Sequence, residues 1–189
     1  GVIETPIVLT NTLNIWRAAD AVASYMLRTN PDIGITTGTL SPVVGECNDG
    51  FLNDLQGRHV RAEHVWQAIE TASGDPVIEG CVGAGTGTAC YQFKGGIGSA
   101  SRRIPAHDFI VGALVQTNMG SRAELRMLGA PIGQHLASEL LPEPGAGSLM
   151  IVLATDAPLS SRQLARLARR AWLGVGRTGA TGHDQSGDF

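Results

Sequence analysis

Long apolar runs, paired cysteines and clusters of basic residues are all missing from this 189-residue sequence, and each absence removes a class of function. No segment reaches the eighteen or so uninterrupted apolar residues of a membrane-spanning helix, so no membrane partner is expected. Cys47, Cys81 and Cys90 are odd in number and contain no Cys-x-x-Cys pair, which supports neither a zinc site nor a disulfide framework. The five histidines, His59, His64, His107, His135 and His183, fall at no metal-ligand spacing, and no metal is expected. Net charge is −3 and Lys and Arg dominate no stretch, which argues against a nucleic-acid partner. The opening "GVIETPIVLT" lacks the basic region and small-residue cleavage site of a signal peptide. That leaves the compartment open, with the cytoplasm ahead of the periplasm or secretion.

What is present describes one globular unit. Hydrophobic residues make up 43% of the chain and glycines number 25, enough apolar surface for a core and many points of close backbone approach. "PIVLT" reads as a buried strand. In "NTLNIWRAADAVASYMLR", Ile15, Ala18, Ala19, Val22, Tyr25 and Met26 recur at helical spacing on one face. "RAEHVWQAIETASG" does the same with Ala62, Val65, Trp66 and Ile69, and Gly74 is the expected C-terminal cap. Strands are predicted in "PVVGE", "CYQFKGGIGSASR", "DFIVGALVQTN" and "AELRML", and "LMIVLAT" reads as a strand covered on both faces. "APLSSRQLARLARRAWLG" is then a helix capped by Ser160 or Ser161, with Leu164, Leu167, Ala168, Ala171 and Trp172 inward and Arg162, Arg166 and Arg169 on a solvated face. The class is α/β or α+β, with layers of sheet and helix.

The glycine-rich "GCVGAGTGTAC" matches neither G-x-G-x-x-G nor a loop ending in Gly-Lys-Ser/Thr, so it reads as close backbone packing and not as a phosphate cradle. A nucleophile elbow fails too, because Ala146 and Met150 stand where G-x-S-x-G needs glycine around Ser148. Yet Ser148 is placed oddly, delivered by Gly145-Ala146-Gly147 onto the front of a strand. A serine there can attack the preceding carbonyl, shift the acyl group from nitrogen to oxygen and, after hydrolysis, become a new N-terminus. Its hydroxyl then lies beside an α-amine with a reference pKa of about 7.7 to 8.0, suited to act as a general base.

Five segments, "PIVLTNT", "PVVGECNDGFLND", "CVGAGTGTACYQFKGGIGSASR", "VQTNMGSRAELRMLGAPIG" and "GSLMIVLATDAPL", together resemble the DmpA-type family of L-aminopeptidase/D-esterases and β-aminopeptidases. The resemblance runs in order along the whole chain. Family members are longer, so it implies an internal fragment, a single partial catalytic domain spanning 1–189. It further implies a four-layer αββα sandwich laid out like the N-terminal-nucleophile hydrolases, and autoproteolysis between Gly147 and Ser148. Residues 1–147 then fall in an α-subunit, and 148–189 begin a β-subunit.

Carried over by position, Ser148 is the nucleophile, Ser186 and Asp188 form a hydroxyl–carboxylate relay, and Asn118 donates to the oxyanion. Glu46 holds the substrate's free ammonium group, and Asn48 stands where some members carry an oxyanion-stabilising tyrosine. The implied activity is a self-processing serine aminopeptidase acting on peptides or aminoacyl amides and esters. It needs no cofactor and is expected to be assembled as a homo-oligomer of processed αβ heterodimers. Two other readings are an acyltransferase of the ornithine acetyltransferase kind, whose members use threonine where this chain has Ser148, and a non-catalytic ligand-binding relative.

Overall fold

A computed structural model describes residues 2–136 and 147–182. The chain opens on β1 (Ile7–Asn11), which passes through a 3-10 turn into α1 (Ile15–Thr29) and returns as β2 (Val43–Cys47). β1 and β2 pair in parallel, with Ile7 opposite Val43 and Asn11 opposite Cys47. A parallel pair needs a crossover, and α1 supplies it. α2 (Ala62–Glu70) lies against α1, and the face read from periodicity is the one that packs. Ala18, Ala21, Val22 and Val65 are buried together, with Val8, Val44, Met26 and Trp66 closing around them. The Trp66 indole N–H satisfies the Ala21 carbonyl at 2.9 Å.

β5 (Gly96–Ile104), β6 (Phe109–Asn118) and β7 (Ser148–Thr155) form an antiparallel sheet in that order, preceded by a short hairpin of β3 (Ala89–Cys90) and β4 (Phe93–Lys94). α3 (Ile132–His135) is a single turn, and α4 (Ser161–Arg177) follows β7. Alternation sorts the side chains of β7. Leu149, Ile151 and Leu153 face Ala168, Ala171 and Val175 of α4 across a groove of about 520 Å³. Met150 points the other way, onto β2, where a Cβ added to Gly45 would lie 2.5 Å from its terminal carbon. The stacking order is therefore α1 and α2, the β1–β2 sheet, the β5–β7 sheet, then α4. This is the expected αββα arrangement.

Three local expectations change. "AELRML" is not a strand: Ser121 and Glu124 form a reciprocal capping box that winds Arg122–Glu124 into a 3-10 turn. α2 stops at Glu70, well before Gly74, because the Thr71 hydroxyl bonds back to the Gln67 carbonyl and its own N–H closes the last turn. "CYQFKGGIGSASR" is broken into three strands, since Tyr91 and Gln92 take φ of 51° and 57° and turn the chain between β3 and β4. Of the two candidate caps for the last helix, Ser160 is the one used, its N–H bonded to Gln163 Oε1 at 2.9 Å. Arg162, Arg166 and Arg169 are exposed, as read from the sequence.

Candidate functional site

The site forms where β2, β6 and β7 end together. Ser148 is the first residue of β7 and lies directly opposite Asn118, the last residue of β6. Its hydroxyl oxygen accepts the main-chain N–H of Asn48 at 3.3 Å, just beyond the end of β2. Asn118 is 8% exposed, and both ends of its amide are engaged. Its Oδ1 accepts the Ala89 N–H at 2.9 Å, and its Nδ2 donates to the Asn48 carbonyl at 2.7 Å. A donor on one side and an acceptor on the other leave a single orientation for the amide. Among the described residues Nδ2 makes no second hydrogen bond, and Asn118 stands across the ladder from Ser148.

Gly147 must be glycine for a steric reason. A Cβ there would lie 2.9 Å from Met119 Cα and 3.1 Å from the Asn118 carbonyl oxygen, so any side chain would pry β7 away from the end of β6. Cys47, at the end of β2, is fully buried, and its thiol donates to the Gln116 carbonyl oxygen at 3.7 Å. Burial pushes the thiol up to about 11, so it is neutral across the physiological range.

The other sequence-derived positions are distributed unevenly. Asn48 reaches Ser148 through its main chain, while its side-chain Oδ1 turns back to accept the Gly50 N–H at 3.0 Å. Glu46 follows Gly45 on β2, and alternation sends it to the face opposite Cys47, where Thr12 Oγ1 donates to its Oε2. Ser186 and Asp188 lie outside the described residues. Ser148, Gly147, Asn118 and the Asn48 main chain thus converge, and Glu46 stands two residues before Asn48 near the end of β2.

Sequence reading missed the scaffold that holds this cluster. Asp49, 5% exposed, accepts Asn11 Nδ2 and Asn53 Nδ2, each at 3.0 Å, and Asn14 Nδ2 donates to Asn11 Oδ1 at 2.6 Å. This chain of amides fixes the turn that presents Asn48. The run N-x-x-N together with "NDG" was the available signal, though only a Gly after Asn-Asp marks a turn on its own. The glycine-rich loop has a second missed anchor in Lys94, whose ammonium donates to the carbonyls of Gly85, Thr88 and Gly95 at 2.8 to 3.0 Å. That clamp holds the segment carrying the Ala89 N–H. Lys94→Met is expected to lower stability by about 2 kcal/mol, a melting shift of roughly 4–8 °C for a chain this size. Thermal unfolding followed by circular dichroism checks it, and an unchanged midpoint would mean that water replaces the ammonium without loss.

Among the described residues, no cluster of three or more His, Cys, Asp or Glu is placed to hold a metal, and no helix is long and apolar enough to cross a membrane. The chemistry available is that of a hydroxyl at a strand start, an oriented amide donor and a glycyl peptide bond immediately upstream.

Comparison with known proteins bears on the same half-sandwich. The model of peptidase family S58 matches residues 1–189. The chain is 43% identical to beta-peptidyl aminopeptidase BapA of Sphingosinicella microcystinivorans over 206 aligned positions, covering 100% of this chain and 51% of that protein. It is 44% identical to the BapA of Sphingosinicella xenopeptidilytica, covering 97% and 49%. The crystal structure of the PH0078 protein from Pyrococcus horikoshii OT3 superposes with a TM-score of 0.92 at 50% identity, covering 100% of this chain and 52% of the other. The L-aminopeptidase D-Ala-esterase/amidase from Ochrobactrum anthropi, a prototype for the serine aminopeptidases and a variant of the Ntn hydrolase fold, superposes with a TM-score of 0.87 at 41% identity, covering 95% and 50%. The chain spans about half the length of the curated relatives it matches.

Proposed function

This chain belongs to peptidase family S58, and on that premise we propose that the complete protein is a self-processing serine aminopeptidase with Ser148 as its nucleophile. The observation that carries the reading is the register at the sheet end, where Ser148 opens β7 opposite Asn118 and follows a glycine that has no room for a side chain. In the processing step Ser148 Oγ attacks the Gly147 carbonyl carbon. The C–N bond breaks as the C–O bond forms, and the hydroxyl proton passes to the departing nitrogen. Water then hydrolyses the ester, leaving a carboxylate on Gly147 and a free α-amine on Ser148.

In turnover that amine takes the Ser148 proton as Oγ attacks the substrate carbonyl. The uncommitted Asn118 N–H donates to the oxyanion, and the proton is returned to the leaving amine or alcohol. Water releases the acyl group from Ser148. Ser186 and Asp188 act as the hydroxyl–carboxylate relay, and Glu46 pairs with the substrate's free ammonium group, which limits the enzyme to unblocked N-termini. Two relatives are named for β-peptidyl substrates, and the substrates proposed here are peptides, amides and esters with a free amino group, β-amino acid residues included. The processed halves stay together as αβ heterodimers that assemble further, and no cofactor takes part.

The complete protein is expected to separate into two pieces on a denaturing gel, with intact mass placing the cut between Gly147 and Ser148, and to hydrolyse β-alanyl or L-alanyl p-nitroanilide. A single uncut chain without turnover would overturn the reading.

A further inference from the structure

We propose that Gln116 is a positioning residue for Asn118: its buried amide ties together the two stretches of main chain that grip the Asn118 side chain, and so sets where the oxyanion donor stands. The proposal rests on the reading of Ser148 as nucleophile and Asn118 as oxyanion donor. Gln116 lies on β6 two residues before Asn118, so alternation puts both side chains on one face of the sheet. It is 0% exposed and the largest of the fully buried side chains among the described residues. Its Nε2 donates to the carbonyl of Thr10 on β1 at 3.0 Å and to the carbonyl of Ala84 in the glycine-rich loop at 3.1 Å. Its own carbonyl accepts the thiol of Cys47 on β2.

Each partner leads to one of the two anchors of Asn118. Thr10 precedes Asn11, which holds Asp49 and with it the turn whose Asn48 carbonyl accepts Asn118 Nδ2. Cys47 precedes Asn48 on the other side of that carbonyl. Ala84 belongs to the 3-10 turn Gly83–Gly85, upstream of the Ala89 N–H that binds Asn118 Oδ1. One planar NH2 group, spending a proton on each carbonyl, therefore fixes the loop and the strand end at a set spacing. The carboxamide has a cost, since its Oε1 has no hydrogen-bond partner among the described residues. Methionine has the same reach and buries no such oxygen, but it releases both carbonyls.

The test places Gln116→Met in the complete protein, alone and together with Asn118→Ala, and reads kcat and KM on an aminoacyl p-nitroanilide below the melting temperature. Alone, Gln116→Met is expected to lower kcat about tenfold with KM within about twofold of wild type; beside Asn118→Ala, where no donor is left to misplace, it is expected to lower kcat by less than about twofold. A merely structural role divides kcat by the same factor in both backgrounds. Should the methionine variant fail to fold, Gln116→Glu carries the same comparison. Burial beside two carbonyls keeps that carboxyl protonated, with one donor for the pair, and the expected loss is about threefold alone and none beside Asn118→Ala. The proposal is overturned if kcat is unchanged in the single variant, if the loss lies in KM, or if the two backgrounds lose equally. Failure of the parent reading is seen separately, in an Asn118→Ala or Ser148→Ala protein that keeps wild-type kcat, and the positioning role falls with it.

Discussion

A Ser148→Ala form of the complete protein is expected to run as one uncut chain and to lose peptidase activity by on the order of 10⁴-fold or more. Both effects have one cause. In the proposed mechanism the hydroxyl that breaks the Gly147–Ser148 bond is the one that later carries the acyl group, and the α-amine base exists only after the first event. Deleting Oγ therefore removes nucleophile and base together. The fold is expected to stand. The hydroxyl accepts only the N–H of Asn48, an exposed residue, so water takes over that donor, and the eight-residue β7 ladder against β6 is untouched. Intact mass and a melting curve read the two claims independently. A variant that is still cut before residue 148, or that melts far below wild type, would contradict them.

Asn118→Ala is expected to lower kcat by about 10²–10³-fold, the usual loss when one oxyanion donor is removed. Stability should fall as well, by roughly 2 kcal/mol, because the Ala89 N–H and the Asn48 carbonyl each lose their partner. Those two effects are separable with Asn118→Asp. The carboxylate still accepts the Ala89 N–H but has no proton to give, and it places negative charge where the oxyanion forms. Stability is then expected to recover in part, while kcat stays at least as low as in the alanine variant. Steady-state kinetics beside thermal unfolding decides the matter, and an aspartate variant with kcat within about threefold of wild type would remove Asn118 from the oxyanion site.

The parts of this molecule visible in sequence are those encoded by side-chain period. Val22 and Val65 stand on helical stripes, and the stripes meet in the core. "LMIVLAT" is apolar without alternation because Leu149, Ile151 and Leu153 look across the groove toward α4 while Met150 packs onto β2. Ser148 was legible as a serine delivered by glycines onto a strand start, Asn118 only through the family resemblance, and their pairing follows from the antiparallel register.

What sequence could not carry is the direction of main-chain groups. Asn48 meets Ser148 and Asn118 through its peptide N–H and carbonyl, a pair that every residue except proline possesses, so its side-chain identity gave no sign of these contacts. "AELRML" alternates as a strand would, and only the Ser121–Glu124 capping box, a contact three residues apart, decides against it. Lys94 gave no signal because its partners are carbonyls, and no complementary acid is needed to satisfy it.

The grip of the Ala89 N–H on Asn118 bears on how the site meets a substrate. In water, charge growing on a carbonyl oxygen must wait for solvent dipoles to turn toward it, and that turning is a large share of the barrier. Here the dipole is already aimed, held at both ends by main chain that is itself tied into sheet and loop. The energy of alignment was spent when the chain folded. In the proposed mechanism each catalytic cycle then begins with its electrostatic field in place, and the reaction has little reorganisation left to drive.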